Sequence, residues 1–208
     1  MFGVGYDPAD AWSLLREAAA ILLVGGAIKL MDDFLDLRYD VFEGEPSLAV
    51  RLGEGTLAYA LLLFALAALA DARASCALFL GAYAAGMAGD FDRQLPSGLY
   101  GYQEAAAALV AGLLFLPWPW ALWGLSVMVA VQAVDDLEDL APDHASGNPN
   151  LARRLGVVET QLLGVLTLFL AALLRPVSTA VVFVAVPLLL WAARALVWPA
   201  RRAGRWER

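Results

Sequence analysis

Two short series of aspartates are the residues in this chain best suited to chemistry. The first lies in DDFLDLRYD, from Asp32 to Asp40, and the second in DDLEDLAPD, from Asp135 to Asp143. Each series stands at the end of a long apolar run, and carboxylates beside such runs mark a functional site more often than a structural one. We therefore expect the function of the protein to depend on them.

The two series belong to a longer internal repeat. Aligned without a gap, the 22 positions from Asp32 to Gly53 are identical at 12 to those from Asp135 to Gly156, at an offset of 103 residues. Both copies continue with the pattern G-x-P-x-L-A-x-R-L-G after the aspartates. Such self-similarity indicates an internal duplication, and we expect the repeats to cover about residues 18–89 and 121–197.

Helical spacing brings the aspartates of each series together. With about 100° between successive residues, every fourth aspartate of a series follows one helix face, and the second aspartate falls within the same arc. Like charges this close repel, so the series stays ionised only where cations neutralise it. Oxygen ligands without Cys or His favour a hard ion, and Mg²⁺ that shares a phosphate is the natural choice. The predicted Mg²⁺ ligands are Asp32, Asp33, Asp36, Asp40, Asp135, Asp136, Asp139 and Asp143.

Basic residues near the aspartates suit a diphosphate. Arg51 and Arg154 occupy the same place in the two repeats, and arginine binds phosphate oxygens through two parallel hydrogen bonds. Lys29, inside the first apolar run, either extends to the membrane surface or contacts the diphosphate. Two facing series would then hold a Mg-diphosphate between them. The simpler alternatives are an acidic loop in solvent beside the membrane and arginines that contact lipid headgroups.

The composition is that of a membrane protein. Hydrophobic residues make up 61% of the 208 residues and charged residues 17%, which is far from the balance of a soluble domain. The net charge of -7 comes largely from the two series, which hold eight of the 21 acidic residues. This charge indicates cation binding, and nucleic acid is not an expected partner. A single cysteine, Cys76, excludes a disulfide within one chain and a thiolate metal site.

The apolar segments predict an all-α fold, a single transmembrane domain over residues 1–208 that forms a polytopic bundle of about seven helices. Several segments are shorter than the ~20 residues that a membrane span requires, and their flanks are expected to extend them. The seven segments are Ala18–Met31, Thr56–Ala70, Ala74–Gly89, Ala105–Leu116, Ala121–Val134, Val157–Leu174 and Val177–Val197.

Charge predicts the orientation in the membrane. Seven spans place both aspartate series, the connection Gly89–Ala105 and the C-terminal tail on one side, and most of the arginines lie there. The positive-inside rule assigns that side to the cytoplasm. We therefore expect an integral protein of the plasma membrane, or inner membrane, with a cytoplasmic active face and an N-terminus outside.

The connection Gly89–Ala105 combines acids with aromatic residues. Asp90, Tyr100, Tyr102 and Glu104 lie in it, a mixture that suits a lid or the binding loop for a polar substrate. Asp90 either takes a proton from a bound molecule or simply lies in water. An ordinary polar connector explains the same residues, and the sequence leaves both interpretations open.

These features together resemble the UbiA superfamily of intramembrane prenyltransferases. Its first motif, N/D-x-x-x-D-x-x-x-D, is matched from Asp32 to Asp40, and its second aspartate motif from Asp135 to Asp143. The resemblance implies a helical bundle that binds Mg²⁺ and a polyprenyl diphosphate and transfers the prenyl chain to an aromatic, quinone-precursor-like or lipid acceptor. The candidate catalytic residues are then Asp36, Asp139 and Asp90, with Tyr100, Tyr102 and Glu104 in the acceptor loop.

The chain departs from the family pattern in size. Family members have more spans, including one before the first motif that supplies basic contacts to the diphosphate, and no such helix is predicted here. The resemblance also implies a lysine in the third polar loop, which is absent from its place, and Arg93 is the candidate to bind the diphosphate instead. A compact member of the family would have this pattern. A homo-oligomer, in which a second copy of the chain completes the wall of the site, is the other explanation.

Two further functions fit the same residues. A terpene cyclase or diphosphate lyase of the same fold would release diphosphate without an acceptor. A non-enzymatic carrier of divalent cations would use the two aspartate series as its transport site. The transferase is favoured over the carrier because the aspartates lie at helix ends beside arginine-bearing loops, whereas carriers bind their ions near the membrane midplane.

Overall fold

The protein is predominantly helical wherever the structure describes it. The computed structural model describes residues 8–37, 40–41, 47–87, 91–141, 144 and 150–202, and their one extended pairing is an isolated bridge between Gln94 and Tyr100. The predicted all-α class is therefore confirmed. The described helices are α1 (Pro8–Leu35), α2 (Leu48–Leu52), α3 (Thr56–Ala70), α4 (Ala72–Gly86), α5 (Gly101–Phe115), α6 (Trp118–Glu138), α7 (Leu151–Leu155), α8 (Val157–Leu174) and α9 (Pro176–Arg202).

Among the described residues, four helical segments are long and apolar enough to cross a membrane, which supports a membrane protein. Helix α5 is apolar but has only 15 residues, fewer than the ~20 that span the hydrocarbon core, and α1 and α4 are not among the four. The bundle of seven spans and its orientation therefore stay predictions. The four segments are Leu48–Ala70, Trp118–Glu138, Val157–Leu174 and Pro176–Val197.

The helices form two compact units. One unit comprises the chain up to Ser75 and from Ala180 onward, and the other comprises Cys76–Thr179. In the first unit α1 packs against α3, and a Cβ added to Gly26 would lie 3.3 Å from the Leu63 side chain. Small residues thus let the two helices approach closely, which is how helices associate in lipid.

The second unit is built in the same way around α6, which packs against α8. Trp123 of α6 is fully buried, and its Nε1 donates a hydrogen bond to Thr179 Oγ1 at 3.0 Å. Near the start of the same helix, the guanidinium of Arg175 lies 3.4 Å from the centre of the Trp120 ring. This cation-π contact connects the start of α6 to the turn that follows α8.

Candidate functional site

The first aspartate series, Asp32 to Asp40, continues the helical path of α1 beyond its last residue. The Asp36 N–H donates to the Asp32 carbonyl at 3.1 Å, and the Asp40 N–H donates to the Asp36 carbonyl at 2.9 Å. Both bonds join residues four apart, which is the hydrogen-bond spacing of an α-helix. Asp32 and Asp36 are exposed and Asp40 is half-buried, so the series presents carboxylates at the surface of the first unit.

The second series ends α6 in a similar way. The Asp139 N–H donates to the Asp135 carbonyl at 2.9 Å, and both residues are exposed. The predicted ligand Asp143 and the candidate base Asp90 lie outside the described residues. The predicted functions of all these aspartates stay predictions.

One aspartate in each series is buried, unlike its neighbours. Asp33 is 7% exposed and Asp136 is 6% exposed. Asp33 Oδ2 accepts a hydrogen bond from the Leu48 N–H at 3.0 Å, and Asp136 Oδ2 accepts one from the Leu151 N–H at 2.8 Å. The two contacts are related by the same offset of 103 residues as the repeated sequence. Each buried carboxylate therefore connects an aspartate-bearing helix to the short helix that follows it.

The second oxygen of each buried carboxylate contacts a long polar side chain one helical turn earlier. Lys29 Nζ lies 2.9 Å from Asp33 Oδ1 and 3.5 Å from Asp32 Oδ2. At the equivalent place in the other unit, Gln132 Nε2 donates to Asp136 Oδ1 at 2.9 Å. Lys29 thus offsets part of the negative charge of the first series from within its own helix, whereas the second series has a neutral amide at this place. The predicted contact between Lys29 and a diphosphate stays a prediction.

The short helices α2 and α7 carry the repeated arginines in their last turns. Each has a side-chain cap at the same position, since Ser47 Oγ accepts from the Val50 N–H at 3.3 Å and Asn150 Oδ1 accepts from the Arg153 N–H at 3.2 Å. Serine and asparagine are preferred caps because a short side-chain acceptor reaches the free N–H groups of the first turn. The two loop helices are therefore held by matching contacts.

The arginines predicted to bind diphosphate have protein partners within their own units. Arg51 donates to the Leu196 carbonyl, and Arg154 Nη2 lies 2.9 Å from Asp92 Oδ2. The side chains of Arg154 and Asp92 are 42% and 79% exposed, and an ion pair this exposed contributes only ~0–1 kcal/mol. The predicted contacts of Arg51 and Arg154 with a diphosphate stay predictions. Arg93 is exposed, and its carbonyl accepts from the Gly101 N–H at 3.1 Å.

The connection before α5 is folded rather than extended. The Leu95 N–H donates to the Leu99 carbonyl at 2.8 Å, and Gly98 completes the turn at φ +85°, a conformation that favours glycine. The rings of Tyr100 and Tyr102 stack with their centres 5.9 Å apart. Tyr100 and Tyr102, the two tyrosines of the predicted acceptor loop, thus form one exposed aromatic surface.

Glu104 fixes this connection to helix α4. One of its carboxylate oxygens accepts a hydrogen bond from Ser97 and the other accepts one from Tyr83. The hydrogen bond from Ser97 has the larger effect on the pKa of Glu104, and the one from Tyr83 adds to it. Together they lower this pKa from its ordinary value of 4.5, because both donors stabilise the charged form. The predicted acceptor residue Glu104 therefore also has a structural task in the second unit.

The contacts of Glu104 predict how the connection responds to pH. Because the pKa is lowered in the folded protein, these bonds contribute stability above the ordinary value of 4.5 and lose it as pH falls below that value. Hydrogen exchange of residues 91–104, corrected for the intrinsic pH dependence of exchange, is expected to stay constant from neutral pH to pH ~5 and to accelerate at lower pH. In Glu104→Gln, exchange should be faster at neutral pH and should show no such transition, and an unchanged transition would contradict the assignment.

The donor chemistry of the two series fits Mg²⁺. Their exposed members carry carboxylate oxygens, the ligands that a hard cation prefers. The carboxylates of Asp33 and Asp136 are buried, and each of their oxygens contacts a nitrogen of the protein. Across the described ranges no cluster of three or more His, Cys, Asp or Glu side chains forms a ready-made metal site. In proteins Mg²⁺ is commonly held by one or two carboxylates together with substrate oxygens, and its binding to these series stays a prediction.

Sequence reasoning treated each aspartate series as equivalent carboxylates and missed the division between exposed and buried members. It also missed Tyr83 and the pairing of Asp92 with Arg154. Asp33 and Leu48 are 15 positions apart, as are Asp136 and Leu151. The gapless alignment keeps the spacing of every residue pair, so it gave no signal specific to this contact.

A comparison of the chain with protein-family models, with curated proteins and with solved structures gives no match.

Proposed function

We propose that the protein is a Mg²⁺-dependent intramembrane prenyltransferase that resembles the UbiA superfamily. It takes a polyprenyl diphosphate and transfers the prenyl chain to an aromatic or lipid acceptor. One observation supports this most directly: an aspartate-bearing helix end is joined to an arginine-bearing loop helix twice, by the same hydrogen bonds at the same sequence offset. A substrate with a charged diphosphate and an apolar tail suits such a polar site on apolar helices.

The chain's own residues would bind and orient the diphosphate. The exposed aspartates of both series supply oxygen ligands for Mg²⁺, which when bound neutralises the diphosphate and makes it a better leaving group. Arg51 and Arg154 contribute positive charge from the loop helices, where they stabilise the negative charge that develops on the departing diphosphate. Breaking the allylic C–O bond leaves the electron pair on the diphosphate and a carbocation on the prenyl chain.

The aromatic connection would bind the acceptor beside that cation. Tyr100 and Tyr102 offer stacked ring faces, which attract a cation through their electron-rich π systems. Glu104 holds the connection in place through Ser97 and Tyr83. Asp90 is the proposed base that takes the proton released when the acceptor attacks the prenyl carbon. The apolar walls exclude water, which would otherwise capture the cation.

We further propose that the two units descend from one duplicated element, with α1, α2 and α3 equivalent to α6, α7 and α8. The helix corners support this. In the first unit Ser75 Oγ donates to the Asp71 carbonyl at 2.7 Å, and in the second Thr179 Oγ1 donates to the Arg175 carbonyl at 2.8 Å. The full proposal retains seven spans, a cytoplasmic active face and an N-terminus outside the cell.

The proposed activity is tested by diphosphate release from radiolabelled geranylgeranyl and farnesyl diphosphate. The purified protein in detergent, with Mg²⁺, is expected to release diphosphate when an aromatic acceptor is present and to yield a prenylated product of the corresponding mass. Chelation of the metal with EDTA should stop the reaction. Release without any acceptor would instead assign the protein as a cyclase or lyase. No release, together with Mg²⁺ binding that does not require diphosphate, would assign it as a cation carrier.

A further inference from the structure

Asp33 and Asp136 differ from the other described aspartates of the two series in being buried. Each is more than nine-tenths buried, and each has one oxygen on a backbone N–H and the other on a polar side chain of its own helix. An additional ion would have to enter a buried place and share oxygens that already make these contacts. The same arrangement in both units shows that it is a recurring feature of this chain and not a local accident.

The hydrogen bond from the backbone N–H to the buried aspartate matters because the loop helices are too short to be stable by themselves. Helices α2 and α7 have five residues each, far below the ~12–15 residues at which an isolated helix becomes marginally stable. The first N–H groups of a helix have no partner within it. In α2 the Leu48 N–H bonds to Asp33 and the Val50 N–H to Ser47. Loss of the aspartate would leave a part-buried N–H unsatisfied, which favours opening of the loop helix.

The anchored amides lie three residues before the arginines. Leu48 is followed by Arg51, and Leu151 by Arg154, in the last turn of each loop helix. A contact that holds the first residue of so short a helix therefore also sets the direction of its arginine side chain. The buried aspartate belongs to α1 or α6, which also carries an exposed aspartate of the same series. Its contact therefore sets the position of the arginine relative to that exposed aspartate.

We propose that Asp33 and Asp136 are positioning residues that hold the arginine-bearing loop helices against the aspartate helices, and that they are not Mg²⁺ ligands. The structural part of this proposal stands on the contacts alone, while its consequence for diphosphate binding rests on the proposed function. Under this proposal the ligands are the exposed aspartates of the two series, and the two buried ones leave the predicted ligand set.

The two anchors are expected to tolerate different substitutions. Asparagine keeps an oxygen that can accept from the backbone N–H, but its second atom becomes an NH₂ donor. Next to Gln132 this is tolerated, because the glutamine amide can turn and present its oxygen. Next to Lys29 the new donor faces a cation that has no acceptor to offer. Asp136→Asn should therefore preserve helix α7, whereas Asp33→Asn should destabilise helix α2. Adding Lys29→Gln to Asp33→Asn should restore the stability of α2.

Hydrogen exchange of the purified protein, without Mg²⁺ and without any diphosphate, tests the anchors directly. Peptides that cover residues 47–52 and 150–155 should exchange about 10- to 100-fold faster in Asp33→Ala and Asp136→Ala, respectively. Asp136→Asn should exchange within a few-fold of the wild type. Asp32→Asn, an exposed neighbour, is the matched control and should change neither peptide. Wild-type exchange in both alanine variants would overturn the proposal.

Binding of Mg²⁺ with inorganic diphosphate, measured by calorimetry, separates an anchor from a ligand. Asp136→Asn is expected to bind with nearly wild-type affinity, whereas Asp135→Asn should bind at least about tenfold more weakly. If Asp136→Asn binds Mg-diphosphate weakly while residues 150–155 exchange as in the wild type, Asp136 is a metal ligand and the positioning role is refuted. If the wild type binds no Mg-diphosphate but the exchange pattern holds, the anchors stand and the proposed transferase function fails.

Discussion

Asp36→Asn and Asp139→Asn are each expected to lower Mg²⁺-dependent diphosphate release about 100-fold or more, while the protein stays folded. Both residues are exposed, and asparagine keeps the shape of the side chain, so we expect the fold to be retained. What is lost is one negative oxygen ligand, and metal affinity depends strongly on such ligands.

The control for this prediction is Glu54→Gln, an exposed acid in the turn after α2 that belongs to neither series. It removes the same charge from the first unit and should release diphosphate at the wild-type rate. Thermal unfolding of all three variants would establish that they are folded. Normal activity in Asp36→Asn and Asp139→Asn would show that the reaction does not require these aspartates, and it would refute the transferase proposal. A loss of activity that higher Mg²⁺ concentrations partly restore is the expected signature of a weakened metal site.

The helical class and the path of the aspartates could be predicted because both depend on local rules. Long apolar runs form helices in a membrane protein since a helix satisfies its backbone hydrogen bonds within one segment, without water. Residues four apart lie on one helix face irrespective of what packs against it, and the hydrogen bonds that join Asp32, Asp36 and Asp40 follow that spacing. The repeat, once aligned, also predicted that Arg51 and Arg154 would occupy equivalent places.

The loop helices could not be predicted, because what stabilises them is distant in sequence. LAVRL and LARRL are too short to form helices on their own strength, and the aspartate that bonds each first amide lies 15 residues earlier. The position of Lys29 was predictable in principle. Its spacing from Asp32 and Asp33 is three and four residues, which brings side chains together on a helix, but the sequence interpretation weighed only the membrane surface and the diphosphate.

The number of spans depends on information that composition does not contain. A segment of 15 apolar residues is too short to cross the hydrocarbon core alone, but it can do so with polar flanks, with a tilt or beside a thinned bilayer. Helix α5 has this length. Whether such a segment spans the membrane is decided by its neighbours, so the sequence predicts a hydrophobic helix and leaves its depth open.

A close approach of helix backbones in the second unit gives the prediction with the largest effect on stability. A Cβ added to Gly81 of α4 would lie 2.5 Å from the Gly124 carbonyl oxygen, and a Cβ added to Gly124 would meet the Ala77 carbonyl. These neighbours are backbone atoms, which cannot turn aside as a flexible side chain can. Gly124→Ala must therefore push two helices apart along a closely packed face.

We expect Gly124→Ala to destabilise the folded protein by about 3 kcal/mol, the upper end of the usual cost of overpacking, and to lower the unfolding temperature measured by scanning fluorimetry in detergent. Gly112→Ala is the matched control. It lies in α5 of the same unit, and its added Cβ would be 3.5 Å from Ala121 Cβ, an ordinary contact. Because alanine favours a helix over glycine by ~1 kcal/mol, the control should be unchanged or slightly more stable.

Equal unfolding temperatures for the two variants would mean that α4 and α6 do not depend on backbone contact, and that small residues at this face serve only to fill space. The expected difference in sign would instead show that close backbone contact stabilises the unit that carries the second aspartate series, as in helix pairs that associate in lipid without a hydrophobic driving force.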